Sequence, residues 1–133
     1  MFQTRLLSKS QVQSLITMSE VLDAVEKTFK GMGDGTVINP TKVNLDLGET
    51  ASYPPYGGFM NAMPAYIGWL DTAGIKWAGG FFERKKHGLG YITSLILLID
   101  PKMGNFKAVM DGAHITNLRT GAQSAIALKY LHP

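Results

Sequence analysis

The sequence predicts an α+β fold. Two stretches of helical apolar spacing open the chain, a run of about five strand-like segments follows, and one more helical stretch closes it. The change of period falls after Pro40, where apolar residues stop recurring every three or four positions and begin to alternate.

Residues 2–7 read as a short strand. Ser8 is placed to cap a short helix whose inner side carries Val12, Leu15 and Ile16. Ser19 is the expected cap of a second helix. Glu20 and Asp23 sit in its first turn, where the helix dipole favours acids. Val21, Leu22, Val25 and Phe29 form its apolar stripe, and Gly31, Gly33 and Gly35 end it. Val43, Leu45 and Leu47 alternate with Asn44 and Asp46, as a half-buried strand requires. Residues 49–58 hold two prolines and two glycines and read as a loop.

Residues 59–67 and 74–82 are two further strands. Ile92–Ile99 is almost continuously apolar, so it is expected to be buried on both faces or at an interface. Residues 100–105 have turn chemistry, and 106–110 supply the second arm of a hairpin. From His114 the spacing is helical again, with Ile115, Leu118, Ala122, Ala125, Ile126 and Lys129 on one side. The chain reads as one domain, residues 1–133, with no internal repeat.

Composition narrows the chemistry. At 45% hydrophobic and 17% charged residues the chain has the makings of a folded core rather than of disorder. It has no cysteine, which excludes disulfides, thiolate catalysis and cysteine metal sites and fits a cytoplasmic location. The first ten residues lack the apolar core of a secretory signal, and no apolar run approaches the roughly 20 residues of a membrane span. A net charge of +3 does not call for nucleic acid. The three histidines are scattered and no metal-binding or serine-nucleophile signature occurs, so no metal site is expected. The run Gly31-Met32-Gly33-Asp34-Gly35-Thr36 is not a dinucleotide loop. Its third glycine would fall on Thr36, and it ends a helix instead of following a strand.

Arg119 is the most informative residue. It lies in the opening turns of the last helix beside Thr116, Asn117 and Thr120, where free amides and the positive end of the dipole would help cradle a carboxylate or phosphate. A solvated or ion-paired surface arginine is the alternative. Lys76 sits mid-strand in Gly74-Ile75-Lys76-Trp77-Ala78, on the face opposite Ile75 and Trp77 and among small residues. There it is either a solvent-facing lysine or a group that holds a carboxylate and, if desolvated, moves a proton. Lys42 by itself is an ordinary surface lysine, and the basic run Arg84-Lys85-Lys86-His87 an ordinary solvated turn. Met60, Met63, Trp69 and Trp77 are expected in the core or at a subunit interface.

Taken together, these segments resemble the ornithine cyclodeaminase/mu-crystallin family over nearly the whole chain. The resemblance runs through Pro40-Thr41-Lys42, Met63-Pro64-Ala65, Gly74-Ile75-Lys76, Met103-Gly104 and Val109-Met110-Asp111-Gly112. Its most specific part is Ile115-Thr116-Asn117-Leu118-Arg119-Thr120-Gly121-Ala122, which is similar to the family's T-x-x-R-T-x-A segment at the matching distance from Lys76.

The resemblance implies an α+β substrate-binding and dimerisation domain. Its sheet is mixed or antiparallel, with N-terminal helices and a C-terminal helix. In the family a Rossmann domain for NAD or NADP follows, then a short segment that returns to the first domain. Neither is recognisable here, so a fragment of a longer enzyme is expected, inactive alone and without tight cofactor binding. Lys76 and Arg119 match the family's active-site and carboxylate-binding positions, and Lys42 falls where many members have an arginine. Lysine keeps the charge but loses the bidentate fork. Thr116 and Thr120 are the positions closest to a cofactor role. Asn61 stands where ornithine-cyclising members carry an acid, which weakens an ornithine reading. The family's catalytic acid belongs to the second domain.

The implied chemistry is hydride transfer between a nicotinamide and the α-carbon of an amino acid or imine, with or without cyclisation and loss of ammonia. A homodimer is implied, with neither nucleic acid nor membrane as partner. The other readings are a non-catalytic mu-crystallin-like binder of small ligands and a standalone dimerisation module.

Overall fold

A computed structural model describes residues 2–49 and 56–132. In chain order the elements are β1 (Arg5–Leu7), α1 (Lys9–Leu15), α2 (Met18–Asp34), β2 (Val37–Ile38), β3 (Val43–Asp46), β4 (Gly58–Ile67), a 3₁₀ turn (Gly68–Leu70), β5 (Thr72–Phe81), α3 (Glu83–Lys86), β6 (Ile92–Ile99), β7 (Phe106–Asp111) and α4 (Ala113–Leu131). The architecture is α+β, as expected.

Local chemistry sets the helix ends. Ser8 caps α1 in a reciprocal box with Gln11, whose side chain accepts from the Ser8 amide at 2.8 Å. The cap of α2 is Thr17, two residues before the expected Ser19. Thr17 Oγ1 accepts from the Glu20 amide at 3.4 Å, and the Glu20 carboxylate accepts from the Thr17 amide at 2.8 Å. The pairing at three-residue spacing selects Thr17, because Glu20 can reach back to it and not to Ser19. Gly31 and Gly33 lie inside the helix, and Gly35 ends it at φ 81°, a left-handed conformation that costs glycine little.

Among the described residues, the strands form one sheet in the order β1-β7-β6-β5-β4-β2, with β3 also paired to β4. Only the β1–β7 pairing is parallel. The central register places Met63 beside Lys76 and Lys76 beside Ile96, then Asn61 beside Ala78 and Ala78 beside Ser94. These two rows face the helices, since side chains in register across a sheet share a face. The core lies on that side and is built from small and medium residues: Val12, Val37, Ala78, Ala108, Ala122 and Ile126 are all buried. Helix α4 lies against α2, α1 and β6.

Among the described residues, no helix covers the opposite face of the sheet. Ile38, Val43, Leu45, Trp77, Leu95 and Phe106 are all about half exposed or more there, with Val43 at 68%. An apolar hollow of about 470 Å³ lies on this face, lined by Ile38, Pro64, Tyr66, Ile75, Leu97 and Phe106 among others. Two expectations change accordingly. Strand β3 is exposed along its whole length instead of half-buried. Strand β6 is covered on its helix side and carries Leu95, 49% exposed, on the other, which leaves the interface reading of its apolar run and excludes burial on both faces within this chain.

Two short elements differ from expectation. Val37–Ile38 pairs with Ile67 and Tyr66 as an edge strand, and the basic run forms a single helical turn. Of the loop expected at 49–58, residues 50–55 lie outside the described residues. No helix among the described residues is long and apolar enough to cross a membrane.

Candidate active site

Lys76, Arg119 and Lys42 come from three separate parts of the fold and meet around one cleft. The alternation of β5 turns Lys76 toward the helices, and the helical spacing of α4 brings Arg119 over the same face. Pro40 and Thr41 lead the chain out of β2 so that Lys42 stands exposed at the rim. Asn39, Pro40, Thr41, Lys42, Met63, Lys76 and Arg119 line a cleft of about 490 Å³. That size is within the range of small-molecule sites.

The cleft is electropositive. No carboxylate lines it, and among the described residues none of the three cations is ion-paired with an acid. Burial pushes the Lys76 ammonium down to about 8, and the positive charge of Arg119 adds to the effect. Arg119 Nη1 donates to Gln123 Oε1 at 3.5 Å, a long contact, and its Nε is buried without a partner. Such a cluster of unneutralised cations favours binding of an anion, and a planar carboxylate suits the guanidinium fork. A lysine poised near pH 8 can also take or release a proton under ordinary conditions.

The expected cradle of Thr116, Asn117, Arg119 and Thr120 does not assemble. Thr120 Oγ1 donates back to the Thr116 carbonyl at 2.7 Å, and Asn117 is exposed. At the helix start, the Ala113 amide is already taken by Asp111 Oδ1 at 3.1 Å. Helix α4 begins at Ala113, so Arg119 stands near the end of its second turn, beyond the free amides. Thr116 Oγ1 is buried and unpartnered, and neither threonine lines the cleft.

Asn61 is buried beneath the helices two positions from Met63, with Oδ1 unpartnered. The basic run makes its contacts locally and does not line the cleft. Arg84 Nε donates to the Gly90 carbonyl at 2.8 Å, Lys86 pairs with Glu83 at 2.7 Å, and the Lys85 ammonium lies over the Tyr91 ring. Sequence reasoning passed over Asn39 and Thr41. They are walls because the turn between β2 and β3 brings them to the same cleft as Arg119 of α4, and nothing in their local pattern signals that.

The fold and the site define the class: an α+β domain with a cationic cleft on the helix-covered face of its sheet. Residues 2–133 match the ornithine cyclodeaminase/mu-crystallin family, and the chain belongs to it. It is 36% identical to alanine dehydrogenase of Archaeoglobus fulgidus over 129 residues, 97% of this chain and 37% of the relative. It is similar to a solved archaeal alanine dehydrogenase dimer with bound NAD, at 37% identity and a TM-score of 0.84 over 96% of this chain and 37% of that one. It is also similar to Thermococcus litoralis Δ1-pyrroline-2-carboxylate reductase in complex with NADH and L-proline, at 35% identity and a TM-score of 0.87, covering 96% and 38%. The chain thus spans less than two fifths of the length of these relatives.

Gly31 and Gly33 lie within helix α2 and Gly35 ends it, so this run follows no strand and does not supply the strand–turn–helix amides that grip a pyrophosphate.

Proposed function

We propose that this chain is the substrate-binding and dimer-forming part of an NAD(P)-dependent enzyme that acts on an amino acid or imine. The observation that carries the reading is the convergence of Lys42, Lys76 and Arg119, without an acid, on one cleft. In this reading Arg119 and Lys42 hold the substrate carboxylate, which fixes the α-carbon for hydride transfer. Lys76 completes the grip and, as the half-buried group titrating near 8, exchanges a proton with the substrate nitrogen. NAD or NADP, bound by a further domain of a longer protein, supplies or accepts the hydride. Thr116 and Thr120, on α4, are the positions assigned to face that cofactor.

The cleft has no acid in its lining, which favours substrates without a second ammonium over ornithine. The uncovered apolar sheet face supports a homodimer built through it.

The test is Arg119→Ala in the full-length protein. Amino-acid-dependent NAD(P) turnover is expected to fall by about a hundredfold or more, the usual scale for a positioning cation. Unchanged turnover would remove Arg119 from the site. Ligand binding without any turnover in the parent protein would favour the small-ligand-binding reading.

A further inference from the structure

A second cavity adjoins the cationic cleft. It has a volume of about 410 Å³ and lies between α2 and α4. Val25, Phe29 and Met32 give it an apolar wall from successive turns of α2, and Thr28 and Gln123 add neutral polar groups. Asn39 and Arg119 line both this cavity and the cleft, so the two spaces share a rim. Arg119 is the joint between them: its Nη1 leans on Gln123 on the cavity side, and it charges the cleft on the other.

Phe29 and Met32 are 41% and 42% exposed, so their side chains stand open to the cavity instead of being packed in the core. Glu26 lies on α2 one residue from Val25, yet its carboxylate is taken by Lys30, Lys129 and Tyr130 and does not line the cavity.

We infer that the α2–α4 cavity receives the side chain of the substrate whose carboxylate lies on Lys42, Lys76 and Arg119. The inference rests on the function proposed above and deepens it by naming the substrate class: 2-amino or 2-imino acids with an extended, uncharged side chain. Apolar walls reward added methylenes, and the absence of any carboxylate leaves a terminal ammonium without a partner. Thr28 and Gln123 can meet one neutral polar group at the far end.

Two carboxylate probes test this by calorimetric titration of the full-length protein: pyruvate and the longer 2-oxohexanoate. The wild type is expected to favour 2-oxohexanoate. Met32→Trp, which fills the cavity from an exposed position, is expected to cut that preference by about tenfold, the scale of a few methylenes in an apolar pocket. Phe29→Ala, which widens it, is expected to retain the preference. If the wild type binds both probes equally, or Met32→Trp leaves their ratio unchanged, the cavity does not take the side chain, although the carboxylate site stands. If Met32→Trp abolishes both together and lowers the thermal midpoint, the groove is a packing surface for another part of the protein and the inference falls. If neither probe binds the wild type, the carboxylate site itself is wrong and takes this inference with it.

Discussion

Replacing Lys76 by methionine is expected to make the protein more stable and less able to bind a carboxylate. Burial, aided by Arg119, lowers the Lys76 ammonium from 10.5 to about 8 in the fold. A lysine whose folded value is depressed opposes folding while it is charged. The cost is fully present below about 8 and disappears above its unfolded value near 10.4, because in that window the unfolded state binds more protons. The full shift corresponds to at most about 3 kcal/mol. Because the side chain is only half-buried, solvent screening reduces this to about 1 kcal/mol. Lys76→Met should therefore gain about 1 kcal/mol in urea unfolding at pH 7 and lose that gain between pH 8 and 10.5.

Binding should move in the opposite sense. Lys76 is about nine-tenths charged at pH 7 and about one-tenth charged at pH 9, so affinity for pyruvate should weaken by about threefold to tenfold across that interval. In Lys76→Met this step should vanish from the calorimetric profile. A variant less stable than wild type at pH 7, or a pH step that survives the substitution, would refute the argument that a buried, unneutralised lysine faces the ligand.

Two further outcomes follow from packing and from acid titration. Glu26 is held down to about 2 by Lys129, then by the Tyr130 hydroxyl and by Lys30. A carboxylate depressed in this way contributes stability that is present above its unfolded value of about 4.3 and is lost as pH falls toward 2. Chemical unfolding across pH 5 to 2 should therefore show a slope that Glu26→Gln flattens, and equal slopes in the two proteins would dismiss the α2–α4 tie. A side-chain carbon at Gly112 would collide with Ser94 Oγ and lie 3.0 Å from Ile96 Cγ1. Gly112→Val should cost about 1–3 kcal/mol by thermal or urea unfolding, because it forces α4 off the sheet; a neutral result would mean that the helix start is not seated as described.

The elements that local pattern could specify were the legible ones. Ile92–Ile99 coincides with its strand, and β4 and β5 differ from expectation by one or two residues at their ends. Strand β2, only two residues long, has too few positions to show a period, and it exists because Val37 and Ile38 find an edge of β4. The exposure of Val43 and Leu45 was not legible either. Alternation says which residues share a face but not whether anything covers it. In the site, alternation correctly turned Lys76 away from Trp77, and Arg119 stood out by its place in α4. Lys42 gained meaning only from its family resemblance, and Asn39 from tertiary structure alone. The cradle around Arg119 was not legible, because α4 spends the Thr120 hydroxyl on its own Thr116 carbonyl.

The parallel pairing of β1 with β7 bears on how the chain is born. Arg5 lies beside Ala108, and Thr4 Oγ1 reaches the Phe106 carbonyl at 3.0 Å across 102 residues of sequence. During synthesis the first strand has nothing to pair with until the last strand emerges, a wait on the order of 5–20 s at usual elongation rates. Throughout it, Leu6 and the rest of β1 remain a loose apolar end, while the hairpins of β4 to β7 can form as each emerges. The sheet therefore closes last at its oldest residues, and the N-terminal strand acts as a latch set only after the β7 edge exists.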